Sequence, residues 1–136
     1  MSFGRHESAL VFVVLRKAVL LVEDDVDLRR MLRMALAFEF RVEEAGDGLE
    51  ALRLLDIEPP DLIVLDLGLP FISGQVVHQE VAAQAHLRHI PVVVITGGPV
   101  GPDRPVACTL RKPFSPDELL RAVRKCLGSG ADVTKA

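Results

Sequence analysis

Charged and hydroxyl side chains stand at or directly after the ends of apolar runs in this chain of 136 residues. Carboxylates gathered at one place raise one another's pKa unless a cation compensates their charge. Mg²⁺ prefers such hard oxygen ligands, and an ammonium and a hydroxyl group nearby would suit a phosphoryl group. The residues that could supply this chemistry are Glu23, Asp24, Asp66, Thr96 and Lys112.

Asp66 is the candidate nucleophile of this set. It closes the apolar run LIVLD and precedes a glycine and a proline. A carboxylate that attacks phosphorus forms an acyl phosphate, while Lys112 and Thr96 would neutralise and hydrogen-bond the transferred group. An isolated aspartate after a strand is usually a turn former or a helix cap, so the prediction depends on the whole set meeting at one place.

Apolar runs that alternate with helical patterns are predicted to bring the set together. Strands that are apolar throughout, separated by amphipathic helices, predict an α/β fold with a doubly wound parallel sheet and helices on both faces. The functional crevice of such a sheet lies outside the carboxyl ends of its strands. Strands are predicted at 18–22, 40–45, 61–67, 91–96 and just before Lys112, and helices at 28–36, 47–55, 73–89 and 115–127.

Composition excludes several classes of protein. A net charge of −3 argues against direct binding to nucleic acid or to a membrane surface. The apolar run ALVFVVL (9–15) is far shorter than the roughly 20 residues that span a bilayer. Cys108 and Cys126 are too far apart in the sequence for a metal pair and too few for a disulfide framework. We therefore expect both cysteines to behave as small hydrophobic residues, and the protein to work in a reducing, cytoplasmic setting.

The segments that carry these residues together resemble the receiver domain of two-component response regulators. The resemblance covers about residues 18–127 and implies a CheY-like, flavodoxin-like fold with five strands in the order 2-1-3-4-5. The matching segments are LLVEDD (20–25), DLIVLDLGLP (61–70) with Gly74 four residues after its proline, PVVVITG (91–97) and RKPF (111–114).

The resemblance implies a magnesium site and a phosphoacceptor. Asp66 would be the phosphoacceptor and, with Glu23 and Asp24, a ligand of Mg²⁺. The backbone carbonyl of Gly68 would complete the protein's share of the ligands. Activity would be limited to magnesium-dependent self-phosphorylation and autodephosphorylation, so no further enzyme activity is expected.

The resemblance also implies how the phosphoryl group is held and where it comes from. Thr96 would be the switch hydroxyl and Lys112 the lysine that pairs with the phosphoryl oxygen, next to a Lys112–Pro113 bond that is usually cis in the family. The donor would be a histidine kinase or a histidine phosphotransfer protein. The signal would pass to a downstream protein target by protein contact.

Residues 97–108 depart from the family pattern. They contain three prolines and three glycines, which cost about 3 and about 1 kcal/mol relative to alanine in a helix interior. We therefore expect the fourth of the family's five helices to be absent or reduced to a turn. The usual aromatic residue three positions before Lys112 is Thr109. These departures keep open a second hypothesis, a pseudo-receiver scaffold that never carries phosphate.

A third hypothesis is a magnesium-dependent phosphohydrolase of the haloacid dehalogenase type, which also uses an aspartate nucleophile at a strand end. That family places a second aspartate two residues later as the general acid. The corresponding position here is Gly68. The enzyme hypothesis is therefore the weakest of the three.

The two ends of the chain lie outside the resemblance. We predict an N-terminal extension (1–17), a receiver domain (18–128) and a flexible C-terminal tail (129–136) with no output domain attached. The strand-like LVFVVL (10–15) could add to a sheet edge, mediate a homodimer, or belong to an upstream extension that is not made in the cell.

Overall fold

Nine elements alternate along the part of the chain that the computed structural model describes, residues 15–98 and 108–135, with side chains described through 128. The strands are β1 (Ala18–Val22), β2 (Arg41–Ala45), β3 (Leu62–Asp66), β4 (Val92–Thr96) and β5 (Thr109–Arg111). The helices are α1 (Val26–Leu36), α2 (Gly48–Ile57), α3 (Gly74–Ala83) and α4 (Pro116–Lys135).

The five strands form one parallel sheet in the order β2-β1-β3-β4-β5. This confirms the predicted doubly wound sheet. Strand β3 lies at the centre and all five of its residues are buried. In the register of the sheet, Asp66 lies beside Ile95 and Thr96 beside Arg111. The ends of β3, β4 and β5 therefore lie next to one another at one edge.

Successive residues of each strand point to opposite faces of the sheet and build two cores. Leu20 and Ile63 belong to the core covered by α2 and α3. Leu21 and Val64 belong to the core covered by α1 and α4. Helices therefore cover both faces, as the uniformly apolar strands predicted.

Polar caps set the starts of the helices. Asp25 accepts a hydrogen bond from the Leu28 amide at the start of α1. Ser115 and Glu118 form a capping box at the start of α4: Ser115 Oγ accepts from the Glu118 amide at 3.2 Å, and the Ser115 amide donates to Glu118 Oε1 at 3.4 Å. These caps place the helix starts just beyond the strand ends.

Helix α3 is shorter than predicted, ending at Ala83 before turns at 85–89. Continued helical spacing would have turned the exposed Arg88 toward the core. By leaving the helix, the chain instead buries Leu87 and Ile90 in the core beneath α2 and α3. The burial of two large apolar side chains accounts for the early end.

The C-terminal end also differs from the sequence prediction. Helix α4 continues through Lys135, although a flexible tail was expected from residue 129. Glycine costs a helix about 1 kcal/mol but does not block its hydrogen bonds, and no proline follows Pro116. A helix anchored by its earlier turns can therefore continue through glycine.

Two predictions lie outside the described residues. The N-terminal extension falls mostly on residues 1–14, and the degenerate fourth helix falls on residues 99–107. Among the helices that are described, none has the length and apolar character needed to cross a membrane.

Candidate functional site

Three carboxylates meet at the carboxyl edge of the sheet. Asp66 ends β3 and Glu23 follows β1, its neighbour in the sheet. Both are buried, with Glu23 0% and Asp66 3% exposed, whereas Asp24 is exposed. One oxygen from each of Glu23, Asp24 and Asp66 lies within 4.8 Å of the others. The structure thus brings Asp66 together with Glu23 and Asp24, which precede it by 43 and 42 positions in the sequence.

Lys112 follows β5, which lies on the other side of β3 from β1, and its side chain reaches the acidic cluster. Its Nζ lies 3.2 Å from Asp66 Oδ2 and 3.2 Å from Glu23 Oε1. The Lys112 backbone amide donates to the Thr96 carbonyl at 2.8 Å, which holds the end of β5 against β4. The Lys112–Pro113 peptide bond is cis. One ammonium therefore faces two buried carboxylates.

The close approach of these charged groups shifts the pKa values of Glu23 and Lys112. Burial and the neighbouring Asp66 raise the pKa of Glu23 to about 7, against the opposing effects of the Asp25 amide and Lys112. Burial disfavours the charge on Lys112, but Asp66 and Glu23 outweigh it and raise its pKa. Lys112 is therefore charged at neutral pH, and its single positive charge does not fully compensate the acids.

The cluster has the chemistry of a divalent-cation site. Glu23 Oε1 is buried and accepts no hydrogen bond from the residues that the structure describes, although Lys112 Nζ lies 3.2 Å away. A buried carboxylate oxygen without a hydrogen bond is costly unless a cation satisfies it. Two buried carboxylates and an exposed one offer the hard oxygen ligands that Mg²⁺ takes while keeping several waters. The residues present therefore fit this ion.

Thr96 and Gly68 line the same edge through different contacts. The Thr96 side chain is buried at the end of β4 and accepts a hydrogen bond from the Gly98 amide at 3.1 Å. The Gly68 amide donates to Asp66 Oδ1 at 2.9 Å and so orients the carboxylate. The Gly68 carbonyl as a metal ligand stays a prediction.

Sequence reasoning missed Arg29, which holds the acidic segment in place. Arg29 Nη1 donates to the backbone carbonyl of Glu23 at 2.8 Å, and its Nε pairs with Glu44 Oε1 at 3.3 Å. The guanidinium thus connects α1, β2 and the segment after β1. An arginine one turn into the helix that follows the acidic pair was the available signal.

The connection after Asp66 is tightly packed on one side and open on the other. A Cβ atom on Gly74 would lie 2.1 Å from the Asp66 carbonyl oxygen, so only glycine allows α3 to start this close to β3. Phe71, in the same connection, has φ of 64° and is 99% exposed. The connection therefore packs closely against the Asp66 backbone at Gly74 and exposes an aromatic ring at Phe71.

Known proteins with this arrangement can be compared with the chain. The profile of the response regulator receiver domain family matches residues 19–124. The sensor histidine kinase TmoS of Ectopseudomonas mendocina is 37% identical over 107 residues, covering 74% of this chain and 11% of that protein. The probable transcriptional regulator ycf27 of Cyanophora paradoxa is 35% identical over 120 residues, covering 82% of this chain and 48% of that protein.

A similar solved structure is the receiver domain of the sensor histidine kinase PA1611 of Pseudomonas aeruginosa, which has a magnesium ion coordinated in its active-site cleft. It superposes with a TM-score of 0.75 at 28% identity and covers 83% of this chain and 98% of that one. By contrast, the chain spans about half or less of the length of the two curated relatives.

Proposed function

Because this chain belongs to the response regulator receiver domain family of two-component signalling, we propose that Asp66 is its phosphoacceptor and that Glu23, Asp24 and Asp66 bind the Mg²⁺ that phosphorylation requires. The observation that carries the proposal is the meeting of these acids with Lys112 at the end of a fully buried strand. Bound Mg²⁺ would supply charge neutralisation for the phosphoryl oxygens.

The protein's own groups divide the work of the transfer. An Asp66 carboxylate oxygen attacks phosphorus, so a carboxylate–phosphorus bond forms as the bond to the donor breaks. Lys112 Nζ, already 3.2 Å from Asp66 Oδ2, pairs with a phosphoryl oxygen as charge builds there. The Thr96 hydroxyl, one residue beyond the partner of Asp66 in β4, donates a hydrogen bond to a second oxygen. The Gly68 amide holds the Asp66 carboxylate in position.

The phosphoryl donor in this proposal is a phosphohistidine on a histidine kinase or a histidine phosphotransfer protein in the cytoplasm. A phosphohistidine that carries a proton on its other ring nitrogen gives up its phosphoryl group to the carboxylate and leaves as neutral imidazole. The exposed Phe71 ring, five residues after Asp66, offers apolar area for a protein that must approach this edge. The output is contact with a downstream protein target rather than turnover of a substrate.

Acetyl phosphate, a small phosphoryl donor, tests the proposal without a partner protein. The full chain is incubated with acetyl phosphate and Mg²⁺, quenched rapidly and weighed by intact mass spectrometry. We expect one phosphoryl group per wild-type chain, lost on treatment with hydroxylamine as an acyl phosphate should be, and none when EDTA replaces Mg²⁺. Asp66→Asn should give no adduct, whereas Asp56→Asn, a change at an exposed aspartate of α2, should leave it intact.

The remaining outcomes separate the competing hypotheses. An adduct that persists in Asp66→Asn would contradict the assignment of the phosphoacceptor. No adduct in a folded, magnesium-loaded wild-type chain would support the pseudo-receiver scaffold. Steady release of phosphate from many phosphate esters would support the hydrolase, but Gly68 leaves that reaction without its acid.

A further inference from the structure

Two thiols that the proposed phosphotransfer does not use face each other between β5 and α4. Cys108 is the residue before β5, and Cys126 lies within α4. Their Sγ atoms are 3.2 Å apart, although the residues are 18 positions apart in the chain. Both are partly buried and present as thiols. Packing of α4 on the sheet has therefore placed two sulfur atoms within contact distance.

We propose that Cys108 and Cys126 are a redox modification site. The two cysteines form a reversible intrachain disulfide with each other, and a low-molecular-weight disulfide such as glutathione disulfide is the oxidant. A disulfide bond is about 2.0 Å long, so the two sulfur atoms must approach each other by about 1 Å. Cys108 directly precedes the three-residue strand β5, in which Thr109 is the first residue to pair with β4. A shift of this size at a strand end leaves the ladder of the sheet intact.

The reaction balances as two thiol–disulfide exchanges. The Cys108 thiolate attacks one sulfur of glutathione disulfide, which gives a mixed disulfide and releases one glutathione thiolate. Cys126 then loses its proton to solvent and attacks the Cys108 sulfur, which releases the second glutathione. The protein loses two electrons and two protons, and the oxidant gains them as two glutathione thiols.

The Cys126 thiol is partly buried and lies against the Cys108 thiol. Burial and the adjacent Cys108 raise the pKa of Cys126 to about 12, so it is a poor first nucleophile at neutral pH. Cys126 is nevertheless well placed for the second step, because its sulfur already touches the sulfur it must attack. Because the two sulfur atoms are already in contact, whichever thiol reacts first presents its sulfur to the other for the second exchange.

The bond would cross-link β5 to α4. Strand β5 leads directly into Lys112, and α4 covers the core shared by β3 and β4. Disulfides of proteins in reducing compartments are mainly transient, catalytic or redox-sensing. A bond at this position would thus form or break with the redox state of the surroundings. It would act next to β5, the strand that leads into Lys112 of the acidic cluster.

The test measures disulfide formation in the folded and the unfolded chain. Reduced full-length protein is equilibrated with graded ratios of glutathione to glutathione disulfide and quenched in acid. The remaining thiols are alkylated with N-ethylmaleimide, and the mass of the chain is measured by intact mass spectrometry. In native buffer we expect loss of two hydrogen atoms and of both alkylation sites. In urea, the ratio of linked to reduced chains at the same buffer poise should be at least about tenfold lower, because folding no longer holds the thiols together.

Peptide mapping and single variants identify the bond. Non-reducing tryptic digestion should give a linked pair of peptides, since cleavage after Arg111 and Lys125 otherwise separates the two cysteines. Neither Cys108→Ser nor Cys126→Ser should form the intrachain bond, and each should carry at most one glutathione adduct. The proposal is overturned if both thiols stay alkylatable in excess glutathione disulfide, if linkage is equal in urea, or if the bonds formed join separate chains.

Discussion

Lys112 and the carboxylates around it set the electrostatic state of the pocket. Each of the two buried acids lies 3.2 Å from the same ammonium. Asp66 accepts an additional hydrogen bond from the Gly68 amide, and Glu23 Oε2 accepts one from the Asp25 amide, whereas Glu23 Oε1 accepts none from the described residues. The raised pKa of Glu23 makes its protonation sensitive to the presence or absence of a cation.

The stability of the metal-free protein should depend on pH through Glu23. Its pKa is raised from 4.5 to about 7, so between these values the folded chain keeps a proton that the unfolded chain has lost. The stabilisation this gives is present at pH 5 and is lost as the pH rises through 7. We expect the free energy of unfolding of wild type, relative to Glu23→Gln, to fall by about 2 kcal/mol from pH 5 to 8. Urea unfolding in EDTA measures it.

The comparison with Glu23→Gln removes opposing effects from other groups. Glu39, for example, has its pKa lowered by Arg124, and this contribution is common to both proteins. Saturating Mg²⁺ favours the carboxylate form, so the same comparison with Mg²⁺ should show a smaller fall. A difference that stays constant across this pH range in EDTA would show that Glu23 is ionised throughout.

The contact between the start of α3 and the end of β3 positions Asp66. Gly74 packs so closely that a Cβ would lie 2.1 Å from the Asp66 carbonyl oxygen and 2.6 Å from Leu67 Cα. Both atoms belong to the backbone of the segment that carries Asp66, the proposed phosphoacceptor. The helix therefore cannot accept a larger residue there without moving away from the strand.

Gly74→Ala is expected to destabilise the protein by about 2 kcal/mol, the cost of overpacking a site that cannot relax freely. The matched control is Gly128→Ala in α4, where a Cβ meets none of the described atoms within 4 Å. That change should stabilise by up to about 1 kcal/mol, because alanine is the better helix former. Urea unfolding of both variants gives the two signs, and a neutral Gly74→Ala would contradict the close approach.

The sheet joins the two cores into one cooperative unit. Alternate residues of β1 and β3 belong to opposite cores, so neither face can lose its helices without exposing the strands that the other face needs. The chain has neither tryptophan nor tyrosine. Far-ultraviolet circular dichroism is therefore the direct probe of its unfolding.

Leu55→Ala in α2 and Leu119→Ala in α4 should each cost about 3 kcal/mol, because each leaves a cavity in a different core. Both side chains are 0% exposed. We expect a single unfolding transition for each variant, shifted to lower urea. Leu49→Ala, at a side chain that is 67% exposed, should shift the midpoint little. Two separate transitions in either core variant would show that the faces unfold independently.

The strands, their parallel arrangement and the acidic edge could be predicted from local patterns, whereas the strand order came from the resemblance to the receiver family. Apolar runs such as LIVLD must be buried on both faces, which in a chain of alternating helices leads to a parallel sheet. The polar residue at each run's end then lies at the sheet's carboxyl edge. Asp66, Glu23 and Lys112 could thus be placed together before any distance was known.

Only the tertiary structure decided how the helices sit against that sheet. The approach of Cys126 to Cys108, the contact of Arg29 with the Glu23 carbonyl and the early end of α3 all depend on helix rotation and packing. Residue spacing specifies which face of a helix is apolar, but the neighbour that each side chain meets follows from close packing of the whole core.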